Sequence, residues 1–159
     1  MRMRAVLVVL LAAAASACGP KVDLTKGLQI VDVSTGWSDK GIVEGQNKIV
    51  PSITFAVKNV SDKSLVALDI NAAFHQVTET QDWDTDLVNV SGSEGLAAGA
   101  TSKHFTIESK QGYKGTETRA EMMKNTHFID AKVNLFAKYG NAQWTRIGEF
   151  PITRQLIAK

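Results

Sequence analysis

The sequence predicts an all-β fold: an antiparallel two-sheet sandwich of about seven or eight short strands with one short helix. Three observations lead there. Apolar residues recur with period two along most of the chain, as strands with one dry and one wet face require. Polar or glycine-containing clusters interrupt these runs at short intervals. Only residues 118–124 carry the start signal of a helix.

Taken in order, residues 51–57 alternate Ile53, Phe55 and Val57 with Ser52, Thr54 and Ala56. A polar turn cluster, residues 58–64, follows. Residues 65–77 alternate again, with Val66, Leu68, Ile70, Ala72 and Phe74 on one face and Asp69, Asn71 and His75 on the other. Residues 87–91 and 103–109 read as further strands, the second turning Phe105 and Ile107 inward, with a glycine-rich connection over 92–100 between them.

Thr118 then fits an N-cap, with Glu121 at the third helical position and Asn125 as the stop, giving a short lid across one end of a sheet. Residues 128–139 place Ile129, Ala131, Val133, Leu135 and Ala137 on one face. A hairpin turn is expected at 139–142, where Gly140 supplies positive φ. Residues 143–149 return and 150–157 close the chain. Pro51 and Pro151 each remove a ladder donor, so they belong at strand starts, edges or bulges. This pattern is that of an immunoglobulin-like β-sandwich, with an up-and-down barrel as the alternative.

The first residues read as an address. Arg2 and Arg4, an apolar run over 5–15 and the small residues Ser16 and Ala17 form the three regions of a secretory signal. The apolar run is too short to span a bilayer, which takes ~20 residues. Cys18, the one cysteine, follows at once. The run Ala15-Ser16-Ala17-Cys18 resembles the lipobox of bacterial lipoproteins, whose signal peptidase cuts before the cysteine. The resemblance implies a signal peptide over 1–17, acylation of Cys18, a lipidated tether over 18–26 and a sandwich domain over 27–159. It also implies membrane attachment through the lipid. Gly19, not an acidic residue, follows the cysteine, which points to the periplasmic face of the outer membrane. A plain secretory signal cut after Ala17 is the alternative.

A second resemblance lies in the domain. The run from Ile53 through Lys58-Asn59-Val60-Ser61-Asp62 to Leu65 is similar to the opening of FxLYD-type bacterial immunoglobulin-like domains. Gly95 to Gly99 ahead of Phe105-Thr106-Ile107 resembles their glycine turn before a Phe-rich strand. The signature ending departs: Asn71-Ala72-Ala73-Phe74-His75 lacks Tyr-Asp. Such domains are interaction modules without a shared catalytic site.

Composition narrows function further. The chain holds 18 Lys+Arg against 16 Asp+Glu, and removing Arg2 and Arg4 with the leader leaves 16 of each. That balance speaks against nucleic-acid binding by counterion release. A single cysteine excludes an internal disulfide framework. There is no Gly-x-Ser-x-Gly nucleophile elbow and no phosphate-cradling glycine loop. His75, His104 and His127 are dispersed, the first two expected on solvated strand faces.

Asp82, Asp84 and Asp86 match the first three ligand positions of a calcium loop, although Leu87 and Ser93 then stand where its glycine and closing glutamate belong. An acidic solvated loop is the other reading, and no cofactor beyond calcium is suggested. Trp83 suits a partner contact, as does Tyr113 in an exposed loop over 111–116; Trp37 and Trp144 are the remaining amphipathic candidates, with core packing the alternative for each tryptophan. The expected function is a non-enzymatic, lipid-anchored envelope module that binds a protein partner or scaffolds an assembly. The alternative is a lipoprotein that takes calcium, a glycan or a small solute at 79–86.

Overall fold

A computed structural model describes residues 21–157; the signal segment and Cys18 lie outside the described residues. The chain opens with a one-turn helix α1 (Leu24–Gly27), then β1 (Leu28–Val43), β2 (Gln46–Asn59), β3 (Leu68–Gln76), β4 (Asp84–Asn89) and β5 (Phe105–Glu108). It continues through β6 (Tyr113–Gly115), α2 (Arg119–Lys124), β7 (Ala131–Tyr139), β8 (Thr145–Pro151) and β9 (Leu156–Ile157).

The strands form two sheets. One runs β5-β2-β1-β9, with β6 continuing alongside β2; the other runs β4-β3-β7-β8. The chain changes sheet after β2, after β4, before β7 and after β8. This is an immunoglobulin-like sandwich with its fourth strand in the second sheet. All pairings are antiparallel except β1 with β9. Phe55 and Ile53 of β2, Ile70 and Phe74 of β3, and Val133 and Leu135 of β7 are each 0% exposed between the sheets. Of the alternation expected over 65–77 and 128–139, the stretches 68–72 and 131–137 show it, whereas over 51–57 the expected outward residues Ser52 and Ala56 are buried along with Ile53, Phe55 and Val57.

Several elements differ from expectation. The longest strand, β1, has no clean alternation, because register shifts after Val31 and after Asp39 each change which side chains face inward. It joins β2 through Glu44 and Gly45, both at positive φ (53° and 77°), a type I′ turn whose twist suits a two-residue hairpin. Val66, expected inside, is 50% exposed. Ala67 at φ 56° breaks the phase ahead of β3, so Leu65 is buried instead and pairs with Leu96.

The expected tether also shortens. Asp23 caps α1 by accepting from Thr25 N–H at 3.0 Å, and Leu24 is buried, so the chain is docked well before Gly27. Residues 150–157 are not one strand: β8 stops at Pro151 on an open edge and the chain crosses to the other sheet to form β9.

Pro51 sits in the middle of a central strand. It lies opposite Trp37, whose N–H points away from β2 to donate to Gln155 O at 2.8 Å. The same alternation turns Pro51 toward the gap between β5 and β6, where its carbonyl accepts from Ser109 N–H at 2.9 Å. The missing donor therefore falls where the neighbouring strand is interrupted.

Candidate functional site

The sandwich has two poles. One gathers α1, the turn after β2 and the turn from β7 to β8: Lys21 and Val22 line clefts there with Val60 and Lys63 on one side and Tyr139 and Asn141 on the other. The other pole holds the Glu44-Gly45 turn, β6, α2 and the segment leading into β7.

At this second pole the side chains converge on Tyr113. The expected exposed loop is a strand instead: β6 pairs with β2 from Asn47↔Gly115 to Ile49↔Tyr113. The Tyr113 ring packs against Trp37 at 5.6 Å, Phe128 at 4.7 Å and Trp83 at 5.2 Å, centroid to centroid. Its hydroxyl accepts from Gln76 Nε2 at 2.6 Å and donates to Ile129 O at 3.0 Å. Burial pushes the phenol above its ordinary range, so it stays a neutral donor. Trp83 and Tyr113 are thus brought together, in edge-to-face contact, although they lie far apart in sequence.

Arg154, from the crossing between β8 and β9, fastens the same pole. Its guanidinium lies 5.0 Å from the centre of the Phe128 ring. Nε donates to Asp130 at 2.6 Å, and the two terminal nitrogens donate to Met123 O and Phe128 O at 3.0 and 3.1 Å. The Asp130 carboxylate raises the pKa of the guanidinium further. The partners stand 24 to 31 residues away in sequence, so no local pattern announces Arg154.

α2 sits here as the expected lid, with Met122 and Met123 buried. Thr118 accepts from Glu121 N–H while Glu121 accepts from Thr118 N–H at 3.0 Å, a complete capping box. Between β6 and α2 lies a shallow cavity of about 200 Å³, lined by Tyr113, Lys114, Glu117, Met122, His127 and Phe128.

The acidic segment over 79–86 is loop only as far as Trp83. Asp84 and Asp86 lie on β4, opposite Phe74 and Ala72, so both carboxylates face the inner side at an open sheet edge. Asp84 accepts from Lys110 N–H at 2.6 Å and Asp86 from Leu87 N–H at 2.9 Å. Asp82 is half exposed, 3.9 Å from His75 Nδ1. An extended strand holds alternate carboxylates apart, whereas a calcium loop must curl them together. Among the described residues, no group of three or more His, Cys, Asp or Glu side chains is placed to hold a metal ion. Inward charge on an edge strand has its own physical role, discouraging a second chain from pairing there.

His75, expected on a solvated face, is only 5% exposed. It shares the outer face of the four-stranded sheet with Asn71 and, across β7, Asn134. Each of the three keeps one buried polar atom without a protein hydrogen bond. His104 is exposed, with Nε2 3.3 Å from Asp32. Of the tryptophans, Trp37 is in the core, Trp83 half-buried and Trp144 40% exposed beside Lys138, whose Nζ is 5.8 Å from its ring.

No protein-family model matches the chain, and no curated protein is significantly similar to it. Solved structures give loose likenesses. A structural-genomics target designated SoR45 aligns with 81% of this chain and 88% of its own at 11% identity and TM-score 0.43. A protein assigned as ApaA from Bordetella pertussis aligns over 80% and 93% at 15% identity and TM-score 0.47. The alkylpurine DNA glycosylase AlkC of Pseudomonas fluorescens, bound to DNA, aligns over 79% of this chain but 30% of its own, at 15% identity and TM-score 0.34. Alignments this loose carry no information about activity.

Proposed function

We propose that the chain is a non-enzymatic, lipid-anchored module of the bacterial cell envelope that binds a protein partner with the pole built on Tyr113. The observation that supports it most is polarity of the fold. The chain enters the sandwich beside α1, at the pole opposite Trp83, Tyr113 and α2. An anchor at Cys18 holds the first pole to the membrane and turns the second outward. Aromatic side chains on a rigid, capped scaffold supply contact area at little entropic cost. The short signal-like leader, the position of the one cysteine and the even charge of the remainder support the same reading.

The test is in-cell crosslinking of the lipidated protein followed by pull-down, beside a secreted control of similar size. A protein recovered through crosslinkers placed at Lys114 or His127, and lost when Trp83 is replaced, supports the module. Recovery no greater than the control overturns it. Replacing Cys18 with Ala should move the protein out of the membrane fraction as a lipidated species, and unchanged lipid labelling would refute the anchor.

A further inference from the structure

We infer that the pole beside α1 rests directly on the lipid surface, with the side chains of Trp144, Val60 and Val66 in contact with it. The inference builds on the anchored reading above and adds a second membrane contact to it. Its first support is length. Cys18 precedes Lys21, the first described residue, by three positions, and an extended chain covers ~3.3–3.6 Å per residue, roughly 10 Å in all. From Val22 onward the chain is already committed: the Cγ1 of Val22 would stand 3.0 Å from a Cβ on Gly27, Asp23 caps α1, and Leu24 is buried. A headgroup layer is itself roughly 5–8 Å deep on each side of the hydrocarbon. An acylated Cys18 therefore leaves no room for the pole to stand clear of the headgroups.

The second support is what the pole exposes. Val60 is 40% exposed, Val66 50% and Trp144 40%, three of the exposed apolar side chains among the described residues. Val60 and Val66 line the two clefts that Lys21 and Val22 share, and Gln143 and Thr145, on either side of Trp144, line the larger of them. That cleft encloses about 800 Å³ and is walled by Val22, Leu24, Val66 and Tyr139. Tryptophan with nearby lysine is the pairing that water–lipid interfaces favour, the ring among headgroups and the ammonium reaching outward.

Charge decides the kind of surface. Lys21, Lys26 and Lys63 line the clefts against Asp23 and Asp62, and Lys138 beside Trp144 stands opposite Asp69 in the strand register. The excess of positive charge is small, so apolar contact carries the docking and zwitterionic lipid suffices.

The full lipidated chain is incorporated into phosphatidylcholine vesicles with and without lipid brominated high on the acyl chains, and tryptophan emission is read alongside flotation. Trp37 is fully buried and Trp83 packs on Tyr113 at the far pole, so emission lost to bromine reports Trp144. Docking is supported if brominated vesicles remove emission, if W144F abolishes that loss, and if it persists in about 0.5 M salt. A double V60D/V66D variant should float as before yet lose most of the quenching. Flotation without quenching, or equal quenching in W144F, overturns the docking while the anchor stands. Failure of the lipidated chain to float overturns the anchor and the docking together.

Discussion

A Cβ added to Gly112 would lie 2.0 Å from the carbonyl oxygen of Ile49, so the link between β5 and β6 passes over β2 with no room for any side chain. The contact is with backbone, which cannot swing aside. Gly112→Ala must therefore lift β6 from β2 and shift Tyr113, the centre of the aromatic pole. We expect a loss of about 3 kcal/mol in urea unfolding. A change below about 1 kcal/mol would show that the link is free to move.

Tyr113→Phe keeps the ring and removes one oxygen. The Gln76 amide and the Ile129 carbonyl then each lose their partner in a half-buried setting. The expected cost is about 1–2 kcal/mol, larger than an exposed hydroxyl would give. Equilibrium denaturation of Tyr113→Phe, of Gln76→Leu and of the double variant measures the coupling, and the double variant should cost less than the two single losses added together.

The carboxylates set a pH dependence of definite sign. Glu121, through its hydrogen bonds to Thr118, Glu44, through Lys114, and Glu149, through Lys132, are all held below the ordinary 4.5. A lowered folded-state pKa contributes stability that is fully present above that ordinary value and is lost as pH falls through the lowered one. The melting temperature should therefore be flat from about pH 7 to 5 and fall below that. All three groups are exposed, so the fall is shallow. Thr118→Ala should cost about 1 kcal/mol of stability through the lost cap and make the acid limb shallower still. An acid limb unchanged by Thr118→Ala would assign the pH dependence to other groups.

Asp84 and Asp86 face inward on the open edge of β4. Replacing both with Val should leave an apolar, pairing-competent edge, and dynamic light scattering should then show concentration-dependent self-association. The native chain should show neither heat nor a melting shift on titration with millimolar calcium. A calcium-dependent shift would restore the cation reading of this segment.

The places where sequence foretold structure, and where it did not, have physical reasons. Ile53, Phe55 and Val57, or Val133, Leu135 and Ala137, sit on regular strands, so their spacing alone reports which side faces the core. The helix at Arg119–Lys124 is equally plain, because a capping box is a local device written in four consecutive residues. The strand β1 was hidden because two register shifts change its phase, and because Trp37 and Ser38, neighbours on opposite faces, are both buried. Val66 misled for a similar reason: the left-handed backbone of Ala67 turns the chain between two runs that look continuous. The pole around Tyr113 depends on partners such as Arg154 and Gln76 that meet only after folding, which no spacing rule reaches.

The pairing of β9 with β1 has a kinetic side. Trp37, near the middle of the first strand, gives its N–H to Gln155, which follows all the other strands but β9 in sequence. A polypeptide that emerges from the ribosome or a translocation channel with its N-terminus leading cannot close this contact until everything between the two residues is out. The first sheet thus keeps an unfinished side until β9 has emerged, and final locking of the domain awaits that segment.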